Sequence, residues 1–386
     1  MTIRGKAHIV GAFEHPGRRL PDSTVPRIHA EVVTGALADA GLTLADVDAF
    51  FCDASTGFGP VSMIEYLGLR VRYADSTEIG GSSYIAHVGH AAAAIAAGKC
   101  SVAVISLAGI ATVGGFGGRP PRAFPEGPFE NLWGLAGPVS NYALAAQRHM
   151  YEYGTTSAQL AEIKVAASLH AQHNPNALRQ DVVTVDEVVT SPLIADPLHR
   201  LDCCVVTDGG GAVVVTSPEI ARDLPRTSVK VLGHGEAVKH TNNGRVDLTF
   251  SGAVWSGARA FEEAGIVPAD VDYASIYDSF TITVLECIED LGFCEKGKGG
   301  TFVLDGALVA PNGRLPFNTD GGGLCNNHPG NRGGMTKIIE AARQLRGEAH
   351  PAVQVPDCTL AIAHGTGGSL STRMGSVTLV LGREDA

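Results

Sequence analysis

The chain has 386 residues, of which 45% are apolar and only 18% charged, and it carries a net charge of −11. That length favours two domains or one duplicated core. The composition excludes intrinsic disorder, and the acidic excess without any basic block argues against nucleic acid as the main partner. No segment reaches the roughly 18 uncharged apolar residues that span a bilayer, and the N-terminal residues lack a leader pattern. The eight cysteines (52, 100, 203, 204, 287, 294, 325 and 358) form no CxxC pair. They read as reduced thiols of a cytoplasmic protein, with no disulfide framework and no metal site expected.

In chain order the pattern predicts a strand at 7–12, a helix at about 24–40, and a helix at 83–97 ahead of a strand at 101–108. A helix at 158–173 and strands at 211–216 and 229–233 follow. Helices at 254–264, 280–291 and 334–346 and strands at 359–364 and 376–382 complete the list. Strands alternating with helices imply mostly parallel sheets covered on both faces. The stretch 110–155, rich in Gly, Pro and aromatics, breaks this rhythm and is expected to be a lid or substrate-binding loop.

The plan occurs twice. "ALADAGLTLADVDAFF" (36–51) and "AFEEAGIVPADVDYAS" (260–275) agree at seven of sixteen positions, offset by 224 residues. Each ends a helix at Ala-Gly, where glycine accepts left-handed dihedrals, and passes through Ala-Asp-Val-Asp toward a strand. "AHIVGAFE" and "VKVLGHGE" occupy equivalent places upstream. A duplication is expected, with an N-terminal half at 1–222 and a C-terminal half at 223–386.

Four turns carry the reactive residue types: "EIGGSSYIAHVGHAA" (78–92), "IYDSFT" (276–281), "NTDGGGLCNNHPGNRGG" (318–334) and "AIAHGTGG" (361–368). The first opens a small-residue helix, whose unpaired N–H groups and macrodipole favour a developing anion. Yet it offers Ser82 and Ser83 and no thiol. "LDCCVVTDGGGAVVVTS" (201–217) reads as a turn and buried strand, with Asp208 beneath the loops and Cys203 and Cys204 structural.

Together with the duplicated plan, the four turns resemble the thiolase superfamily, most closely the sterol-carrier-protein-type thiolases and bacterial lipid-transfer thiolase-like proteins. The resemblance implies an α/β fold of two similar halves in a five-layer αβαβα sandwich, and a homodimer. It implies a coenzyme A thioester as substrate, no cofactor held by the chain itself, and a separate zinc-ribbon/OB-fold protein as a further partner. Counted back from Gly98, it puts Ser82 where the family has its acyl-accepting cysteine. There Ser82 is either a weak nucleophile or a small polar wall residue.

The resemblance also makes His328, in Asn327-His328-Pro329, a donor to an enolate oxygen. It makes His364 a base in place of the second cysteine. Tyr277 with Asp278 stands where the family usually has Asn-Glu or His-Asp. Aldolases of this superfamily carry the same Tyr-Asp pair and lack the cysteine, although they have tyrosine where this chain has His328. Gly323, Asn327, Gly367 and Gly368 are then the contacts to the thioester. Arg119, Arg122 and Arg332 are unranked candidates for its phosphates, and Cys325 is the cysteine nearest the inferred pocket.

The expected reaction is aldol or retro-aldol cleavage of a β-hydroxyacyl-CoA of lipid or sterol side-chain type. The alternatives are acyl transfer through Ser82 or Cys325, as in an acetyl-CoA acetyltransferase, and a non-catalytic acyl-CoA-binding subunit.

Overall fold

The computed structural model describes residues 2–112, 127–135, 137–330 and 332–385. Its strands are β1 (His8–Glu14), β2 (Ala49–Phe51), β3 (Tyr73–Asp75), β4 (Val102–Ile110), β5 (Leu193–Ala195), β6 (Leu198–His199), β7 (Asp208–Thr216), β8 (Val229–Lys239), β9 (Tyr273–Ile276), β10 (Leu360–Gly368) and β11 (Met374–Gly382). β5 and β6 form a small ribbon, and the other nine make one sheet in the order β3-β2-β4-β7-β1-β8-β11-β10-β9.

The sheet is mixed rather than mostly parallel. Only β3/β2, β2/β4 and β9/β10 run parallel, while β4/β7, β7/β1, β1/β8, β8/β11 and β11/β10 are antiparallel. Helical crossovers make only the outer pairs. β10 and β11 are joined by the short turn 369–373, and two strands so joined must run antiparallel.

The repeated sequence does the same mechanical work twice. The helix Val25–Ala40 ends at Gly41 and the helix Ala253–Ala264 at Gly265, both left-handed. Asp46 accepts the Thr43 N–H, and Asp270 that of Val267. Asp48 accepts the N–H groups of Ser101 and Val102 at the start of β4, and Asp272 those of Thr359 and Leu360 at the start of β10.

Side chains alternate across each strand and sort the interior into three cores. On β4, Val102 and Val104 face the helix Val25–Ala40, while Ala103, Ile105 and Leu107 face the centre. On β10 and β11, Ala361, Ala363, Val377, Leu379 and Leu381 face the centre, while Ile362 and Val380 face the side of the helix Ala253–Ala264. Three helical layers with two lengths of sheet between them give five layers.

The central layer holds the helices Ser83–Ala96 and Gly334–Arg346. Their starts touch: a Cβ on Gly334 would lie 2.0 Å from the Gly81 carbonyl oxygen. The site is built around this contact.

Within 110–155, residues 113–126, and with them Arg119 and Arg122, lie outside the described residues. The helix Pro138–Tyr153 follows, with the Tyr142 ring packed on Phe280 at a centroid distance of 4.3 Å in a tilted arrangement. Among the described residues no helix is long and apolar enough to cross a membrane.

Candidate active site

β9 ends at Ile276, and the next residue, Tyr277, points into the central layer between the two helix starts. Its hydroxyl lies 2.7 Å from His328 Nε2, and the Gly333 N–H donates to it at 3.3 Å. A phenol oxygen can accept one hydrogen bond and donate another, so the hydroxyl proton can serve Nε2 when His328 carries its own proton on Nδ1. His328 Nδ1 is buried without a hydrogen-bond partner among the described residues. Burial drives the imidazole down to about 4, with Lys337 assisting and Asp278 opposing, so His328 is neutral at pH 7. Burial pushes the Tyr277 phenol well above its ordinary range.

The turn before the helix Ser83–Ala96 faces this pair with Gly81, not Ser82. A Cβ on Gly81 would sit 2.3 Å from Cε2 of Tyr277 and 2.6 Å from its oxygen. The tyrosine ring fills the space a side chain at 81 would need. Ser82 is fully buried, and its hydroxyl donates to the Ile79 carbonyl at 2.7 Å, a turn-forming bond. The pair Gly80-Gly81 is the sequence signal that marks the close approach.

Asp278 does not present a free carboxylate. Lys337 Nζ lies 2.9 Å away, and its oxygens accept the N–H groups of Gly323 at 2.8 Å and Leu324 at 3.1 Å. The Gly323 N–H is thereby used up. Asn327 is consumed in the same way: its amide donates to Glu14 at 2.8 Å and accepts from Thr207 at 2.6 Å. The Thr207 hydroxyl oxygen in turn accepts the His328 N–H at 2.9 Å. These polar groups are thus engaged within the structure around His328.

His364 departs furthest from expectation. In the parallel register it lies opposite Ile276, so it shares the outer face of the sheet, while Gly365 and Tyr277 share the inner one. Its Nδ1 bonds Thr378 at 2.9 Å, and Thr378 bonds Ser256 on the outer helix Ala253–Ala264. Burial pushes its imidazole down to about 3. The strand's period of two, not its proximity in sequence to the glycines, decides where this side chain goes. Gly365 and Gly367 pack β10 against the turn: a Cβ on Gly367 would lie 1.8 Å from the Ile79 oxygen. Gly368 sits at φ +94° and its carbonyl accepts from Tyr142.

A cavity of about 850 Å³ is lined by Val206 and Phe280, on segments next to those that hold the pair. Val139, Leu178, Ile194, Val205, Val206 and Phe280 give it an apolar wall, and Arg19, Arg179 and Arg200 also line it. Val206 leads directly into Thr207, which holds the His328 backbone, and Phe280 follows Tyr277 by three residues. Sequence reasoning missed these three arginines, because they come from separate segments. Arg332 is committed to carboxylates, pairing with Asp53 and, at 3.0 Å, with Glu78.

Cys203 and Cys204 line the cavity, but burial raises both thiols, Cys203 to about 12. Cys325 is buried against Lys164 Nζ at 3.0 Å, and burial raises its thiol as well. Asp208 sits beneath the loops as expected, accepting the N–H groups of Leu20 and Thr112 at 2.8 Å each.

Residues 235–383 match the family described as "Thiolase C-terminal domain-like". The chain is 34% identical to the 17-hydroxy-3-oxo-4-pregnene-20-carboxyl-CoA lyase of Mycobacterium tuberculosis, over 95% of this chain and 97% of that one. It is 32% identical to an acetyl-CoA acetyltransferase of Methanothermobacter thermautotrophicus, over 94% and 97%. A solved structure described as an Ltp2-ChsH2(DUF35) aldolase superposes with a TM-score of 0.89 at 30% identity, covering 99% of both chains.

Proposed function

The chain belongs to the thiolase superfamily, and from that premise we propose that it is a carbon–carbon lyase that cleaves a β-hydroxyacyl-CoA by a retro-aldol step. The observation that carries this reading is the packing of Tyr277 onto Gly81, which leaves the helix-start turn without a nucleophile and without room for one. Acyl transfer would need an acceptor. The Ser82 hydroxyl is engaged with Ile79, and the Cys325 thiol is buried against Lys164.

In this reading Tyr277 Oη takes the proton of the substrate's β-hydroxyl as it passes its own proton to His328 Nε2. The electron pair of the O–H bond forms the new carbonyl, the Cα–Cβ bond breaks, and its electrons flow to the thioester as an enolate. The imidazolium just formed donates from Nδ1–H to the enolate oxygen. The proton then returns through Tyr277 to Cα, releasing a ketone or aldehyde and a shorter acyl-CoA. Protons and electrons balance, and no covalent intermediate is needed.

The apolar cavity would take the acyl portion, and Arg19, Arg179 and Arg200 the anionic groups of the ester. The halves 1–222 and 223–386 and a lid within 110–155 are part of the same reading, as is a cytoplasmic location, which the eight free thiols support.

A homodimer through β3 is supported by Phe58, Val61 and Tyr66, which are exposed beside that edge strand. A second protein partner is supported by the description of the superposed aldolase, which names ChsH2(DUF35) alongside it. The test is to incubate the enzyme with β-hydroxyacyl-CoA esters of increasing bulk. Carbonyl product and shortened acyl-CoA are expected, with no acyl mass on the protein. An acylated chain overturns the proposal.

A further inference from the structure

Lys337 lies fully buried on the helix Gly334–Arg346, with its ammonium 2.9 Å from Asp278. Asp278 spends its two oxygens on the loop that leads to His328, holding the N–H of Gly323 with one and that of Leu324 with the other. Tyr277 precedes Asp278 directly, and its hydroxyl meets His328 at the far end of the same loop. One carboxylate therefore fixes the distance between the two members of the pair.

A carboxylate that holds two N–H groups in a dry interior is stable only beside a counter-charge. Burial alone would drive an ammonium toward neutrality, but here Asp278 and Asp320 outweigh it and raise Lys337 above its ordinary range.

We infer that Lys337 is a positioning residue for the lyase site: by anchoring the Asp278 carboxylate it keeps both loop N–H groups held, and with them the Tyr277–His328 contact. The kinetic part of this inference rests on the retro-aldol reading; the geometric part does not. Without the ammonium, the Asp278 carboxylate loses the partner that fixes its orientation, and a turn of the carboxylate takes an acceptor from Gly323 or Leu324, so the loop loosens. A displacement of about 1 Å at a reacting pair costs about a hundredfold in rate.

The test compares Lys337→Met, Asp278→Asn and the double variant in the full chain. It measures kcat and KM for a β-hydroxyacyl-CoA, and the ¹⁵N signals of labelled histidines in protein shown to be folded by circular dichroism. Lys337→Met is expected to lower kcat about a hundredfold while KM moves by less than about threefold, and to remove the hydrogen-bonded Nε2 signature of His328. The double variant is expected to fall by less than the product of the two single losses.

A Lys337→Met enzyme with full kcat overturns the inference. So does one that loses kcat with the His328 signature intact, or losses that multiply in the double variant. If Lys337→Met does not fold, the double variant, which buries no lone charge, must fold and show a displaced His328 signal; failing to fold, or keeping the original signal, overturns the inference. Should the unaltered enzyme cleave no β-hydroxyacyl-CoA, the lyase reading fails, while the His328 signal still decides the role of Lys337.

Discussion

Restoring a thiol to the helix-start turn does not restore acyl-enzyme chemistry. Gly81→Cys puts its Cβ 2.3 Å from Tyr277 Cε2, while ordinary contact begins near 3.4 Å, so the ring must retreat by about 1.1 Å. The Tyr277–His328 bond is 2.7 Å long and buried, and a shift of that size is enough to break it. Forced overpacking costs about 1–3 kcal/mol, and the buried partner left unpaired costs about as much again. The variant should therefore melt several degrees lower and lose about a hundredfold in cleavage rate.

Intact-mass analysis after exposure to acyl-CoA should find no added acyl group. Adding Tyr277→Ala to Gly81→Cys removes the obstructing ring, and the introduced thiol should then become acylated while cleavage stays lost. The reasoning is refuted if Gly81→Cys alone keeps the parent melting temperature and rate, or is acylated without the second change.

Tyr277→Phe removes the hydroxyl that the proposed proton transfer uses, and kcat should fall about a hundredfold or more, with a stability loss of about 1–3 kcal/mol from the unpaired His328 Nε2 and Gly333 N–H. Ser82→Ala deletes a bond to the Ile79 carbonyl, so calorimetry should show a loss of about 1 kcal/mol with kcat within about threefold. His364→Gln should likewise cost stability through the Thr378 contact while kcat stays within about threefold, because the side chain lies on the outer face of the sheet. Burial depresses His29, His87, His170 and His328 to about 4 and His364 to about 3, so the unfolded chain binds these protons first. Stability from these groups is fully present above about pH 6.5 and withdrawn as pH falls toward 4, at about 1.4 kcal/mol per unit of depression; melting temperatures across that window check it.

What the sequence revealed and what it hid follow one physical division. Asp48 and Asp272 were legible as equivalents because each acts on its own neighbourhood, closing a turn and seating the next strand; local chemistry leaves a local pattern. Mostly parallel pairing was the wrong inference, because alternation of helices and strands says nothing about the hairpin that joins β10 to β11.

The same limit governs the site. The Asn-His-Pro motif singled out His328, which the fold brings to Tyr277, and Tyr277 stood out as a departure from the family's usual residue. Which side of β10 His364 occupies depends instead on its register with β9, a relation between residues 88 positions apart. Lys337 was invisible for a further reason: lysine on an amphipathic helix ordinarily marks the solvent face, and carboxylates brought in from elsewhere in the chain, Asp278 and Asp320, make its burial possible. A chemically apt residue type near a motif is therefore weaker evidence than its facing direction. In this fold the direction is set by close approaches of Gly334 to the Gly81 carbonyl, of Gly367 to the Ile79 carbonyl and of the Tyr277 ring to Gly81, where a single methyl group would force the parts apart.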